Sequence, residues 1–183
     1  MTALQDLKYS QWFRGADVDG DGFITRHDVR KMSERYISAR ESAPDAETAH
    51  RLIEGMDRFW SNVIAPMDQD GDGKVDVREM TEGFKSVLTD RAFYPHQIAP
   101  VTDCFFDLVD LNGDGRIDQA EFQQMFSSVA AVPGDDSAAV FAALDLDGSG
   151  GLSRDEFHQA LEEFFYGNDP DAPANHIFGK VTA

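Results

Sequence analysis

Apolar side chains recur at helical spacing in eight stretches of this chain of 183 residues. Tyr9, Trp12, Phe13 and Ala16 form the first, and Val29, Met32 and Tyr36 the second. Trp60, Val63, Ile64 and Met67 follow, then Met80, Phe84 and Val87. The second half repeats the theme with Phe105, Phe106 and Val109, with Phe122, Met125, Phe126 and Val129, with Val140, Phe141 and Leu144, and with Phe157, Ala160, Leu161 and Phe164. Apolar residues at i, i+3, i+4 and i+7 mark a helix with one buried face, so the pattern predicts an all-α protein. A long helical pattern runs from about Ala46 to Met67 after Ser42-Ala43-Pro44-Asp45. The two prolines of Arg91–Pro100 mark a joint between halves. Pro133-Gly134-Asp135-Asp136 separates the next two helices, with Asp136 or Ser137 as N-cap. Gly167-Asn168-Asp169-Pro170 ends the last helix, and Ile177 and Phe178 are expected to anchor the tail.

Polar, glycine-rich segments sit between successive pairs of these helices. Four share one arrangement: Asp17-Val18-Asp19-Gly20-Asp21-Gly22, Asp68-Gln69-Asp70-Gly71-Asp72-Gly73, Asp110-Leu111-Asn112-Gly113-Asp114-Gly115 and Asp145-Leu146-Asp147-Gly148-Ser149-Gly150. Each continues with an aliphatic residue at position 8 (Ile24, Val75, Ile117, Leu152) and an acid at position 12 (Asp28, Glu79, Glu121, Glu156). This resembles the EF-hand calcium loop. A hard divalent cation takes six to eight oxygens, which a short loop supplies only by wrapping around the ion. The ligand set expected is the side chains at positions 1, 3 and 5, the carbonyl at position 7, position 9 directly or through water, and the closing carboxylate at 12. The carbonyls belong to Phe23, Lys74, Arg116 and Gly151, and position 9 to Thr25, Asp76, Asp118 and Ser153. The position-8 aliphatics are expected to pair loops through a short antiparallel contact. One Asp-x-Asp-x-Asp-Gly is also a solvated turn; four copies in register, each flanked by amphipathic helices, set that reading aside.

The loops differ in charge. They hold four, five, four and three carboxylates, sixteen of the 34 acids, and the other 18 nearly balance the 16 Lys and Arg. The formal net charge of −18 therefore belongs mostly to the expected binding sites. Up to four Ca²⁺ are expected. Asp28 is one methylene shorter than Glu, which favours fewer and tighter ligands and makes the first site the most Mg²⁺-tolerant.

The acidic balance argues against nucleic acid or an anionic membrane as partner, while 42% hydrophobic residues with 14 Phe suit a folded core. Cys104 is the single cysteine, expected to be a buried hydrophobe in a reducing compartment. The N-terminal stretch lacks a basic and apolar leader pattern and a glycine after Met1, and the reading is a cytoplasmic monomer.

The uneven loop spacing, Asp28 at position 12 and the aromatic inventory resemble the sarcoplasmic calcium-binding protein family. The last hand and its tail, Leu161-Glu162-Glu163-Phe164-Phe165-Tyr166-Gly167, resemble its bacterial, actinobacterial calerythrin-like branch. The resemblance implies two EF-hand pairs, residues 1–92 and 93–183, in a compact body that acts as a calcium buffer or signal modulator. The complete loop Asp68–Glu79 departs from the calerythrin-like pattern, whose second loop is commonly degenerate. The alternative is a calcium sensor that opens a hydrophobic groove for a partner helix. Six Met against 14 Phe favours a core that stays shut. Coelenterazine-binding photoproteins share the scaffold, and Trp12, Trp60, Tyr36, Tyr94 and the five His are the residues that could line such a cavity. The C-terminal proline of that family is absent from Lys180-Val181-Thr182-Ala183. Cys104 and His96 lack a third, orienting group, so no enzymatic activity is expected.

Overall fold

The computed structural model describes residues 2–40, 44–129 and 134–178. Among these residues are eight α-helices and four two- or three-residue strands, in the order α1 (Ala3–Ala16), β1 (Phe23–Ile24), α2 (Arg26–Ser38), α3 (Ala46–Phe59), β2 (Val75–Asp76), α4 (Val77–Val87), α5 (Ala99–Val109), β3 (Arg116–Asp118), α6 (Gln119–Val129), α7 (Gly134–Leu144), β4 (Gly151–Ser153) and α8 (Arg154–Tyr166). The strands pair antiparallel as β1 with β2 and β3 with β4, setting Ile24 opposite Val75 and Ile117 opposite Leu152. The position-8 contact expected from the sequence is present in both pairs. Ser42, Ala43, Pro133 and the terminal Lys180–Ala183, together with the side chain of Val129, lie outside the described residues.

The helical run from Ala46 to Met67 changes winding twice. After α3 comes a π-helical stretch, Trp60–Ile64, and then a 3₁₀ turn, Ala65–Met67. Pro66 supplies the cause: it has no N–H to give the carbonyl four residues back. The chain widens just before it, and the Ala65 N–H bonds back to Trp60 O. The same solution recurs at Ala99-Pro100, where the Ala99 N–H bonds to Tyr94 O at the end of the π-helical stretch Tyr94–Ile98. The prolines of Arg91–Pro100 thus do not interrupt helix; each stands in a first turn, where a missing N–H is tolerated. The break between halves lies earlier, in the turn after α4. A second expectation also shifts: α7 already includes Gly134, so Asp136 and Ser137 are inside the helix and neither is its N-cap.

One hydrophobic cluster runs through both halves. Trp12 packs edge-on against Phe59 and Phe84, at 5.9 and 5.8 Å between ring centres, and Phe84 meets Phe165 at 5.6 Å. Tyr36 stands against Phe105 at 4.6 Å. The tail is anchored as expected: Ile177 is buried, Phe178 packs on Phe164, and Gln11 Nε2 donates to Phe178 O at 2.9 Å. At the centre lies an apolar cavity of about 70 Å³ whose lining includes Trp12, Tyr36, Phe59, Phe105 and Phe178.

Polar contacts tie α1 to the C-terminal end of α8. Lys8 is fully buried, and its ammonium donates to Glu163 O at 3.1 Å and Gly167 O at 2.8 Å. Tyr9 Oη donates to Phe165 O at 2.8 Å. A cation on the last carbonyls of a helix complements its dipole. Desolvation nevertheless lowers the Lys8 pKa to about 8, against the opposing pull of Glu163. A second network joins α3, α5 and α8: Arg51 pairs with Asp107, and Arg154 with both Asp103 and Asp107. His158 bridges Asp103 and the hydroxyl of the buried Tyr94, each at 3.0 Å.

Candidate metal centre

Each loop folds around its own carboxylates. The position-1 aspartate takes the centre: in the first loop Asp17 Oδ1 accepts from the Gly20 N–H at 2.8 Å and Oδ2 from the Gly22 N–H at 2.9 Å. Asp68 and Asp110 repeat both bonds. Asp145 keeps the position-6 bond, from the Gly150 N–H to Oδ2, while its Oδ1 accepts from the Ser149 N–H. The residues at position 3 (Asp19, Asp70, Asn112, Asp147) accept from the N–H at position 5, at 2.8–3.2 Å. Position 5 in turn accepts from position 7: Asp21 from Phe23, Asp72 from Lys74 and Asp114 from Arg116. Wrapping the chain this tightly requires left-handed backbone twice per loop. Gly22, Gly73, Gly115 and Gly150 have φ of 82–89° and the position-4 glycines 65–77°, angles costly for a residue with a Cβ. Gly20, Gly71, Gly113 and Gly148 are the sequence signal of the first of these turns, and Gly22, Gly73, Gly115 and Gly150 of the second.

Positions 9 and 12 have a double use. Thr25, Asp76 and Ser153 are the N-caps of α2, α4 and α8, and Asp28, Glu79 and Glu156 are their third residues, forming reciprocal capping boxes. Asp118 and Glu121 exchange the same pair of bonds at the start of α6, at 2.9 and 2.8 Å. The closing acid thus belongs to both loop and helix. Its other oxygen reaches back to the position-2 N–H: Glu79 to Gln69 at 3.0 Å, Glu121 to Leu111 at 2.8 Å and Glu156 to Leu146 at 2.9 Å. Asp28 spans the same gap to Val18 at 3.3 Å, the stretch expected of a shorter side chain. Asp28, Glu79 and Glu121 are nearly inaccessible to water. Burial opposes the charge on Glu156, but hydrogen bonds from Ser153, Asp147 and Leu146 prevail and lower its pKa. Asp147 is likewise lowered, chiefly by Ser149.

These oxygens converge. Carboxylates of Asp17, Asp19 and Asp28 lie within 4.8 Å of one another, as do those of Asp68, Asp70 and Asp72, and those of Asp145, Asp147 and Glu156. In the third loop Asn112 replaces the second carboxylate. Clustered hard oxygens with no nitrogen or sulfur among them fit Ca²⁺, and in the fourth loop the Gly151 carbonyl accepts from Ser149 Oγ at 3.0 Å. Cys104, by contrast, is buried and donates to Pro100 O, and burial raises its pKa. Trp12 and Tyr36 line the central cavity, whereas Trp60, Tyr94 and histidine are not part of its wall. Sequence reasoning did not single out Lys8, Asp103, Arg154 or His158. For Lys8 the available signal was a charge four residues before Trp12, on the apolar stripe.

Residues 56–127 and 101–162 match the EF-hand domain pair, and residues 10–33 match the single EF hand. The chain is 30% identical over 168 residues to a luciferin-binding protein of Renilla reniformis, covering 90% of this chain and 88% of the relative. It is 26% identical over 176 residues to a sarcoplasmic calcium-binding protein of Scylla paramamosain, covering 90% and 89%. A Streptomyces coelicolor calcium-binding protein shares the fold, with a TM-score of 0.76 at 22% identity over 90% of this chain and 99% of that one. Four glycine-wrapped acidic loops between paired helices, and relatives matched nearly end to end, lead to one statement: the chain belongs to the EF-hand family of calcium-binding proteins.

Proposed function

We propose that this protein is a calcium buffer with four EF-hand sites, in two lobes spanning residues 1–92 and 93–183. The sites are formed by Asp17, Asp19, Asp21, Phe23, Thr25 and Asp28; by Asp68, Asp70, Asp72, Lys74, Asp76 and Glu79; by Asp110, Asn112, Asp114, Arg116, Asp118 and Glu121; and by Asp145, Asp147, Ser149, Gly151, Ser153 and Glu156. One observation carries the choice of buffer over sensor: the apolar helix faces of both halves are packed on each other. Met32, Met56, Met67 and Met80 are buried, and among the described residues the exposed large apolar side chains, Ile53, Val77, Leu111 and Leu146, are isolated on different elements. A sensor presents a methionine-rich groove. Isothermal titration with Ca²⁺, with and without Mg²⁺, is expected to count four sites, with the first losing most to Mg²⁺ competition. A hydrophobic dye added at each stage should not brighten as calcium binds. A calcium-dependent rise in dye fluorescence would instead establish the sensor reading.

The central cavity supports a second reading, binding of a small apolar molecule, which the name of the Renilla relative also suggests. At about 70 Å³ it falls short of the roughly 300 Å³ of ordinary ligand pockets, so it would have to expand. The buffer reading comes first for that reason. Protection of the cavity by an added apolar fluorophore, read as quenching of Trp12, tests the second.

A further inference from the structure

We propose that Arg116, in the third loop, weakens the fourth calcium site by directing its guanidinium at two of that site's ligand oxygens. Arg116 Nη1 donates to Ser149 Oγ at 2.6 Å and to Gly151 O at 2.9 Å. These are the position-5 side chain and position-7 carbonyl of the fourth loop, two of the oxygens an ion there would take. The arrangement rests on the four-site reading above.

Three features make the reach specific. The antiparallel register pairs Arg116 with Ser153 and Asp118 with Gly151, which sets Arg116 and Gly151 on a cross-strand diagonal within range of a long side chain. Gly151 then leaves the path open: a Cβ added there would stand 3.2 Å from Arg116 Cβ and 3.4 Å from Cδ. The other loops carry Phe23, Lys74 and Arg116 itself at position 7. The N-terminal pair supplies the contrast. Its position-7 cation, Lys74, belongs to the second loop of that pair and lies over the Phe23 ring with Nζ 4.8 Å from the centroid, parked on an aromatic face instead of on ligand oxygens.

The fourth loop is also the one with fewest carboxylates. Calcium–oxygen distances of about 2.3–2.6 Å put the guanidinium roughly 5 Å from a bound ion. The repulsion of single and double positive charges at that separation, screened as in water because Arg116 is exposed, corresponds to about a tenfold loss of affinity. The same residue offers its own carbonyl to the third site, so filling that site restrains the strand from which the guanidinium reaches across.

The test is a site-resolved calcium titration by amide NMR. Gly22, Gly73, Gly115 and Gly150 each donate an N–H to the position-1 aspartate of their own loop, so each reports one site. In the wild type Gly150 is expected to respond last. Arg116→Gln should move its midpoint to about tenfold lower calcium, while Lys31→Gln, an equal charge change on the exposed face of α2, leaves the Gly150 midpoint in place. In chelator, the Gly151 carbonyl 13C resonance should shift in Arg116→Gln as that oxygen loses the guanidinium. An unchanged Gly150 midpoint in a site that still saturates overturns the role of Arg116 and leaves four sites standing. So does an equal gain at Gly150 from Lys31→Gln, which would reduce the effect to net charge. A Gly150 amide that ignores calcium altogether would remove the fourth site, and this inference with it.

Discussion

Lys8 places a cation in a fully buried setting, and its titration should be visible in the stability of the whole fold. Desolvation lowers its pKa from 10.5 to about 8 in the native state, while the unfolded chain keeps the ordinary value. Between these limits the unfolded state binds a proton that the native state has released, so stability rises with pH across that window. A tenfold change in proton affinity corresponds to about 1.36 kcal/mol, giving a gain of about 3 kcal/mol between pH 8 and 10.5. Below pH 8 the cost of burying the ammonium is fully present. Lys8→Met keeps most of the volume and cannot titrate, so its profile should lack the rise that Lys8 gives the wild type. Urea denaturation in saturating calcium, at half-unit steps from pH 7 to 10.5, gives the difference curve. Tyrosine contributions common to both proteins cancel in that difference. Parallel profiles for wild type and Lys8→Met would show that the ammonium is solvated and refute the reasoning. A difference running the other way would show that the carbonyls of Glu163 and Gly167 stabilise the charge more than burial opposes it.

Three further outcomes are expected. Asp28→Glu should relieve the 3.3 Å reach to Val18 and raise the first site's preference for Ca²⁺ over Mg²⁺ by about tenfold; unchanged selectivity in competitive calorimetry would dismiss the argument from side-chain length. Calcium should raise the melting temperature strongly relative to chelator, since each independent site at a hundredfold excess over its Kd adds about 2.7 kcal/mol; coincident scanning-calorimetry traces would break the link between binding and folding. Gly83→Ala should destabilise by about 1–3 kcal/mol by denaturant titration, because the new methyl would collide with the Met67 side chain and overpacking outweighs the gain in helix propensity; a stabilised variant would mean that Met67 moves aside freely.

Much of this molecule is readable before any coordinates. The Asp-x-Asp-x-Asp-Gly pattern can be read because a calcium loop draws its ligands from twelve consecutive residues, so the chemistry is local. The helices are readable because a face that must be buried repeats every three to four residues. Even the capping boxes are written locally, in Thr25-x-x-Asp28 and Ser153-x-x-Glu156, although along the chain those residues read only as ligands. Pro95 and Pro100 point to a break on sequence alone. A proline's effect depends on whether the preceding turn can widen, and before Pro100 it does.

What sequence alone determined is the number of acidic loops, the oxygen-bearing residues in them and the register of helix around loop, all set by neighbours along the chain. Tertiary structure decided what crosses between distant segments: Lys8 on the carbonyls of α8, Tyr36 against Phe105, Ile177 and Phe178 closing over the core, and Arg116 lying across Gly151. None of these has a local signature, because a hydrogen bond or a ring contact depends on positions in space, and those are settled only when the helix faces have packed.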